Sequence, residues 1–208
     1  MRAVVEAMTG RVCVVCRCSC RRVSRHTETF AVQAVPMQAL ARRGHSGVSL
    51  MDLLNQSVYK MEEGLDSCDE CSTKETRRAE RTRSLVLESC PEILLTQLSR
   101  GQCVRGVCEK LTCELDIPLV LNMGPYTEEA GIQRQPSILY DLVGVVHHTM
   151  WSNTSVPLHL ARGHFSTFVV DGDGEWLCFD DDKTVRTATA EEVVGKEAYV
   201  LMYSKRSS

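Results

Sequence analysis

The second half of the sequence is a succession of short apolar segments with turn residues between them. The segments predicted as strands cover residues 111–121, 137–148, 164–170, 175–179 and 198–203. Asp171-Gly172-Asp173-Gly174 stands between the third and the fourth, and Asp-Gly supplies the positive φ that tight hairpins need. Strands joined by short turns pair in antiparallel order. This half therefore predicts an antiparallel sheet.

The first half mixes further strands with a helix. Strand-like segments cover residues 11–16, 30–35, 85–87 and 93–98, and residues 101–110 are predicted as a polar connector. Ser49 is a good N-cap with Asp52 three residues later, and Gly64 is predicted to end the helix that follows. The apolar residues of that helix, at helical spacing, are Leu50, Leu53, Leu54 and Val58. The two halves together predict an α+β fold.

Composition narrows the class of protein. With 208 residues, 43% hydrophobic and 25% charged, the chain is typical of a globular domain. A net charge of -3 argues against a partner such as nucleic acid, whose binding domains are usually strongly basic. No apolar run reaches the roughly 18 residues that a membrane helix needs, and residues 1–8 lack the apolar region of a signal peptide. We expect no membrane contact and a cytoplasmic or nuclear location.

Eleven cysteines stand at positions 13, 16, 18, 20, 68, 71, 90, 103, 108, 113 and 178. In a reducing compartment, clustered cysteines more often bind metal than form disulfides. Cys68-x-x-Cys71 has the spacing of half a structural zinc site, and Cys13-x-x-Cys16 has the same spacing. The alternative is a degenerate pair of knuckles that binds no metal.

His164 opens one strand of the predicted hairpin, and Asp180 follows the returning strand. Adjacent antiparallel strands bring such positions side by side, so the carboxylate can orient the imidazole and stabilise its protonated form. The competing interpretation is a surface histidine beside an exposed acidic turn. For the neighbouring pair His147 and His148, alternation along a strand predicts side chains on opposite faces.

The second half resembles the C-terminal half of the ubiquitin-specific protease catalytic domain. The motifs that carry the resemblance are, in order, Tyr140-Asp141-Leu142, His148, Gly163-His164-Phe165, Trp176, Phe179-Asp180-Asp181 and Ala198-Tyr199-Val200-Leu201-Met202-Tyr203. Phe165 replaces the usual tyrosine. Weaker likeness extends upstream through the cysteine pairs, the helix after Ser49 and the segment from Cys90 to Arg100.

The resemblance implies a papain-like cysteine-protease fold, present as a partial domain over residues 1–208. Residues 10–90 would form a fingers-like region with a zinc-finger-like subdomain, and residues 91–208 a palm-like antiparallel sheet. Structural zinc would be bound by Cys68, Cys71, Cys18 and Cys20, with Cys13 and Cys16 as the less certain ligands. Helices outside this chain would pack on the sheet, so we expect an exposed apolar face that includes Leu94, Leu98 and Val143.

The activity that the resemblance implies is thiol-dependent hydrolysis of the bond after the C-terminal glycine of ubiquitin, with ubiquitin and ubiquitinated proteins as partners. His164 would be the catalytic histidine, Asp180 its carboxylate and Asp181 a supporting residue. His148, Gly163 and Phe165 would line the substrate cleft.

The family's nucleophile lies in a Gly-Asn-Thr-Cys-Tyr-x-Asn box, and none of the eleven cysteines has that context. Cys178 is expected to be a packed core thiol. We therefore expect the chain to be inactive alone and to belong to a larger or truncated deubiquitinase. The alternatives are a non-catalytic module that binds ubiquitin or another partner, and a zinc-held interaction protein without ubiquitin contact.

Overall fold

The computed structural model describes residues 2–18, 20–37, 47–60, 81–104, 107–127, 137–150 and 163–207. These ranges contain helices α1 (Arg2–Met8), α2 (Leu50–Val58) and α3 (Ala190–Val193), and a 3-10 turn at Gly124–Tyr126. The strands are β1 (Gly10–Cys18), β2 (Val23–Phe30), β3 (Val32–Pro36), β4 (Tyr59–Lys60), β5 (Arg81–Ser89), β6 (Ile93–Ser99), β7 (Gly101–Val104), β8 (Val107–Lys110), β9 (Val120–Asn122), β10 (Leu139–Met150), β11 (Gly163–Val170), β12 (Trp176–Phe179), β13 (Arg186–Ala188) and β14 (Ala198–Lys205).

The first sheet has the strand order β2-β1-β5-β4, and its strands pair in antiparallel fashion. β1 lies in its interior, and the run Val12, Cys13, Val14 and Val15 is buried on both faces of the strand. β-branched side chains fit such a pleated, packed surface. The predicted strand at 11–16 is therefore confirmed and extended at both ends.

The second sheet has the order β13-β12-β11-β10-β14-β6-β3, and β9 pairs with part of β10. Its pairs are antiparallel except for β3 with β6, where Val35 lies opposite Leu98 in a parallel register. β3 comes from the region predicted as fingers-like but belongs to this sheet. The predicted palm sheet is therefore largely antiparallel, with a parallel strand added at one edge.

Helix α2 begins as its sequence predicts. Ser49 Oγ accepts a hydrogen bond from the Asp52 N–H at 3.1 Å, and the Ser49 N–H donates to Asp52 Oδ2 at 2.9 Å. This reciprocal capping box satisfies main-chain donors that a helix start leaves without partners. The helix ends at Val58, where the chain enters β4, six residues before the predicted stop at Gly64, which lies outside the described residues.

Two connecting segments differ from their predictions. Residues 101–110, expected to be a polar connector, form the antiparallel hairpin β7–β8. Most of the strand predicted at 111–121 lies outside any sheet, and only its end joins β9. At the start of this segment, Nη1 of Arg100 donates to the carbonyls of Leu111 and Cys113 at 3.0 and 3.1 Å. The Arg100 side chain thus occupies carbonyl groups that could otherwise accept hydrogen bonds from a neighbouring strand.

Among the described residues, both sheets contribute to one hydrophobic core cluster. Val12 and Leu87 of the first sheet belong to it together with Leu54 of α2 and Leu201 of the second sheet. The expected exposed apolar face is wrong for Leu94 and Leu98, which are 3% and 0% exposed inside this cluster, and Val143 is partly buried. Among the described helices, none is long and apolar enough to cross a membrane.

Candidate active site

Strands β11 and β12 position the histidine and the aspartate that the sequence singled out. Phe168 of β11 lies opposite Cys178 of β12, and both side chains are buried. Because side chains alternate between the faces of a strand, His164, four residues before Phe168, lies on that same face. Asp180, two residues after Cys178, does too. The hairpin therefore brings His164 and Asp180 to one end of the sheet.

His164 and Asp180 are in contact there. Nε2 of His164 is hydrogen-bonded to Oδ1 of Asp180, and Nζ of Lys183 donates to Oδ2 at 2.7 Å. The bond from Lys183, followed by that from His164, holds the pKa of Asp180 below its ordinary value. An ionised carboxylate only accepts hydrogen bonds, so Nε2 carries the hydrogen and Nδ1 of the neutral ring keeps its lone pair. Nδ1, the ring nitrogen that does not contact Asp180, is therefore the one that can accept a proton.

Asp181 lies beside His164 and Asp180, at more than hydrogen-bonding distance from the His164 ring. Its Oδ2 is 3.6 Å from Nδ1 of His164, and its side chain is 72% exposed. Its φ is +49°, a left-handed conformation that aspartate adopts more readily than most residues. The Lys183 N–H closes the same turn by donating to the Asp180 carbonyl at 3.0 Å. Asp181 is thus at the rim of the site, and its supporting role stays a prediction.

His164, Asp180 and Asp181 each offer a ligand atom within 4.8 Å of the other two, and this group contains no cysteine. Lys183 already neutralises the carboxylate of Asp180 from the outer side. Cys178, on the strand between, is buried, and burial raises the pKa of its thiol. It therefore has the properties of a packed core thiol, as expected.

The three residues predicted to line the cleft lie together, joined by Tyr199. The rings of His148 and Phe165 stack with centroids 4.5 Å apart at an interplanar angle of 17°, and Tyr199 lies 5.5 Å from His148. A Cβ at Gly163 would clash with Nε2 of His148, so a larger residue there would displace this ring. Phe165 is 53% exposed. We call His148, Phe165 and Tyr199 the aromatic group.

Tyr199 reaches this position through an irregularity in β14. The register pairs Val146 with Val200 and then His147 with Ala198, so Tyr199 is an extra residue in its strand. Such a β-bulge re-aims a side chain. Gln97 Nε2 donates to the Tyr199 hydroxyl at 2.8 Å and fixes the ring.

His147 and His148 face opposite sides of the sheet, as alternation predicted. His147 is buried against Phe168, at 4.5 Å between ring centroids, and its Nε2 is 2.8 Å from the Val193 carbonyl. Burial lowers the pKa of both histidines, and the charge of Lys110 adds to this for His148. The same alternation puts His164 and the aromatic group on opposite faces of β11. Both sets lie at the start of that strand.

Lys110 was not predicted as a site residue from the sequence, yet it contacts the main chain of His148 in the aromatic group. Its side chain is 6% exposed, and its ammonium contacts both the carbonyl oxygen of His148 and the carboxylate of Glu197. The Glu197 carbonyl in turn accepts from the His148 N–H at 2.9 Å. Lys110 stands in a polar segment with no apolar pattern, so no signal in the sequence indicated its burial.

The sequence of this chain matches a known protein family. The profile of the ubiquitin carboxyl-terminal hydrolase family matches residues 5–203. The chain belongs to the ubiquitin carboxyl-terminal hydrolase family. The resemblance stated from the sequence motifs is thereby confirmed.

Curated hydrolases of this family match over most of the chain but little of their own length. The probable ubiquitin carboxyl-terminal hydrolase 16 of Schizosaccharomyces pombe is 26% identical over 78% of this chain and 33% of its own. Ubiquitin carboxyl-terminal hydrolase 8 of Saccharomyces cerevisiae is 29% identical over 72% of this chain and 31% of its own. The chain thus spans about a third of the length of these relatives.

Solved structures of the family share the fold. A yeast SAGA DUBm structure has a TM-score of 0.76 at 25% identity and covers 97% of this chain and 42% of its own. A SAGA DUB module bound to monoubiquitin has a TM-score of 0.75 at 25% identity, over 97% and 41%. The predicted α+β, papain-like fold is confirmed.

The cysteines considered as hydrolase zinc ligands divide into two sets. Cys13 and Cys16 lie three residues apart in the continuous strand β1, so their side chains point to opposite faces. Cys18 ends β1, and Cys20 is exposed in the turn that Arg21 closes through its N–H to the Cys18 carbonyl at 2.8 Å. Cys68 and Cys71 lie outside the described residues.

Proposed function

We propose that this chain forms part of a cysteine-type deubiquitinase, which hydrolyses the isopeptide bond after the C-terminal glycine of ubiquitin. The observation that carries the proposal is the contact between His164 Nε2 and the ionised Asp180, in a chain of the ubiquitin carboxyl-terminal hydrolase family. The SAGA DUB module bound to monoubiquitin, which shares the fold, supports ubiquitin as the partner. A cytoplasmic or nuclear location fits this activity.

In the proposed reaction, Nδ1 of His164 accepts the proton of a cysteine thiol. The thiolate attacks the carbonyl carbon of the scissile bond, and the imidazolium then donates that proton to the leaving amine. Asp180 keeps the ring oriented and stabilises the imidazolium by the bond at Nε2. Water then releases ubiquitin from the thioester. The thiol is expected from outside these 208 residues, because none of the eleven cysteines has the family's nucleophile context.

The test is hydrolysis of ubiquitin that carries a fluorogenic amine at its C-terminus, by the full-length protein that contains this chain. We expect His164→Asn to lower kcat/KM by about 100- to 10,000-fold, the usual contribution of a general acid–base residue. His26→Asn is the matched control, because His26 lies on the exposed strand β2 and should leave the rate unchanged. Undiminished hydrolysis by the His164 variant would contradict the proposal. Ubiquitin binding without hydrolysis by the native protein would favour the non-catalytic module instead.

We further propose that Cys18, Cys20, Cys68 and Cys71 bind structural zinc. Four thiolates in a tetrahedron are an ordinary structural zinc site. The register supports the pairing, since Cys18 lies opposite Arg81, the residue at which the chain returns from the segment that holds Cys68 and Cys71. Zinc would hold this end of the first sheet together and takes no part in the chemistry at His164.

A further inference from the structure

The β7–β8 hairpin brings two cysteines into register. Gly101 pairs with Lys110, and two positions further Cys103 pairs directly with Cys108. Among the strands of the described residues, these are the only two cysteines that lie directly opposite one another. Sequence patterns alone treated this segment as a connector, so the pairing is visible only through the fold.

The hydrogen bonds at the base of the hairpin indicate whether Cys103 and Cys108 form a hydrogen-bonded or a non-hydrogen-bonded pair. The Leu111 N–H donates to the Arg100 carbonyl at 2.7 Å, the bond expected at a hydrogen-bonded position of the ladder, while the Arg100 N–H donates to the Leu98 carbonyl at 2.8 Å. Hydrogen-bonded and non-hydrogen-bonded pairs alternate along an antiparallel ladder. Cys103 and Cys108 stand three steps further, so they form a non-hydrogen-bonded pair. In such pairs the Cα atoms are about 4.5 Å apart, within the roughly 4.4–6.8 Å that a disulfide spans.

We propose that Cys103 and Cys108 are a redox modification site that closes reversibly into a disulfide across the hairpin. The oxidant is a small disulfide such as oxidised glutathione. One cysteine thiolate attacks a glutathione sulfur, forming a mixed disulfide and releasing one glutathione thiolate. The second cysteine thiolate then displaces the other glutathione. The two cysteines lose two protons and two electrons, and oxidised glutathione takes them up to become two reduced molecules.

The β7–β8 hairpin, which this disulfide would cross-link, lies next to the aromatic group. Arg100, just before it, donates from Nε to the Ala198 carbonyl at 2.7 Å. Lys110, its last residue, contacts the His148 carbonyl and Glu197. A cross-link between β7 and β8 restricts the segment between these two anchors. If the proposed function holds, oxidation would stiffen the structure beside the site without touching its nucleophile.

The test uses the full chain, reduced and then placed in a glutathione buffer in which the oxidised form dominates. After an acid quench, the remaining thiols are alkylated and the chain is digested with trypsin. Trypsin cuts after Arg100, Arg105 and Lys110, so the two cysteines fall on separate peptides, each with a single cysteine. We expect these peptides to be recovered as one linked pair, lighter by two hydrogen atoms than their sum, which dithiothreitol separates.

Two variants and one denatured sample control this result. Cys113→Ser should leave the link in place, because Cys113 lies beyond the hairpin, whereas Cys108→Ser should abolish it and leave Cys103 joined to glutathione. In urea, which removes the register, the linked fraction should fall. Full alkylation of both peptides, or a link from Cys103 chiefly to another cysteine, would overturn the proposal. This readout needs no ubiquitin, so it stands or fails separately from the proposed hydrolase.

Discussion

Lys110 carries a charged group at only 6% exposure, and its partners explain why it is tolerated there. A buried charge is costly unless it is paired and hydrogen-bonded. The carboxylate of Glu197, just before β14, pairs with the charge of Lys110, and the carbonyl of His148 on β10 accepts its hydrogen bond. A single side chain thus ties the end of β8 to the start of β14 and to the strand that bears His148.

Replacing Lys110 should therefore affect both stability and the neighbouring histidine. We expect Lys110→Met to lower the free energy of unfolding by about 1–3 kcal/mol, because the Glu197 carboxylate loses its partner. The charge of Lys110 helps to lower the pKa of His148, so the variant should raise that pKa. Urea denaturation and an NMR titration of the His148 ring measure the two effects. Lys196→Met removes an exposed neighbouring lysine and should leave both nearly unchanged. An unmoved His148 titration would contradict the pairing.

Because of His147, the folded chain should lose stability at mildly acidic pH. Burial is the main reason that its pKa lies below the ordinary value of 6.5 in the folded chain. Below about pH 6.5 the unfolded histidine binds a proton that the folded one resists, so stability falls as the pH drops. His148 acts in the same direction.

We expect the native chain to lose more stability than His147→Gln between about pH 7.5 and about pH 5.5, measured by urea denaturation. Glutamine can still donate to the Val193 carbonyl and does not titrate. His26→Gln should behave like the native chain, since His26 is exposed. Equal losses in the native chain and in the His147 variant would show that another group governs the acid response.

At the scale of single elements, the β1–β2 turn discriminates between the two proposed zinc ligand sets. We expect the purified chain to contain about one zinc ion and Cys20→Ser to lose most of it, because Cys20 stands in the turn beside Cys18. Cys13→Ala should keep its zinc, since alternation points Cys13 to the other face of β1 from Cys16 and Cys18. Elemental analysis after gel filtration gives the metal content. Zinc loss in the Cys13 variant alone would favour the other set.

Elements set by local chemistry were predictable, and those set by distant side chains were not. The turn at residues 171–174 forms as expected, with the Asp171 N–H donating to the Glu175 carbonyl at 2.9 Å and a φ of +87° at Gly174. The capping box of α2 is equally local. In contrast, residues 111–119 look like a strand, but the carbonyls of Leu111 and Cys113 accept hydrogen bonds from the Arg100 side chain, which no period or propensity reveals.

The site divides in the same way. The contact of His164 with Asp180 follows from hairpin pairing and was predicted from the sequence. Tyr199 belongs to a motif quoted for the family resemblance, but its place beside His148 depends on a bulge in β14. The burial of Lys110 depends on contacts among three segments that are distant in sequence. A single sequence does not show which segments come into contact.

At the scale of the whole molecule, the shared core predicts joint unfolding. Val12 and Leu87 of the first sheet lie in one cluster with Leu201 and Tyr203 of the second. We expect the far-ultraviolet signal and the tryptophan fluorescence to report a single transition in urea, with the same midpoint. Leu87→Ala should move both midpoints together. Two separate transitions would show that the sheets unfold independently.

The expectation of an exposed apolar face failed at this scale. Leu98 is buried in the core cluster, and β3, remote in sequence, lies beside it in a parallel register with Val35 opposite Leu98. Parallel pairs need long connections, and their register is not visible in local patterns.

The hairpin of β11 and β12 also bears on how such a chain can change over generations. His164 and Asp180 lie within one uninterrupted stretch, so a recombination or splice junction outside residues 163–180 transmits both or neither. Their spacing is set by the local pairing of β11 with β12. The two residues that we propose as the acid–base pair are therefore inherited together.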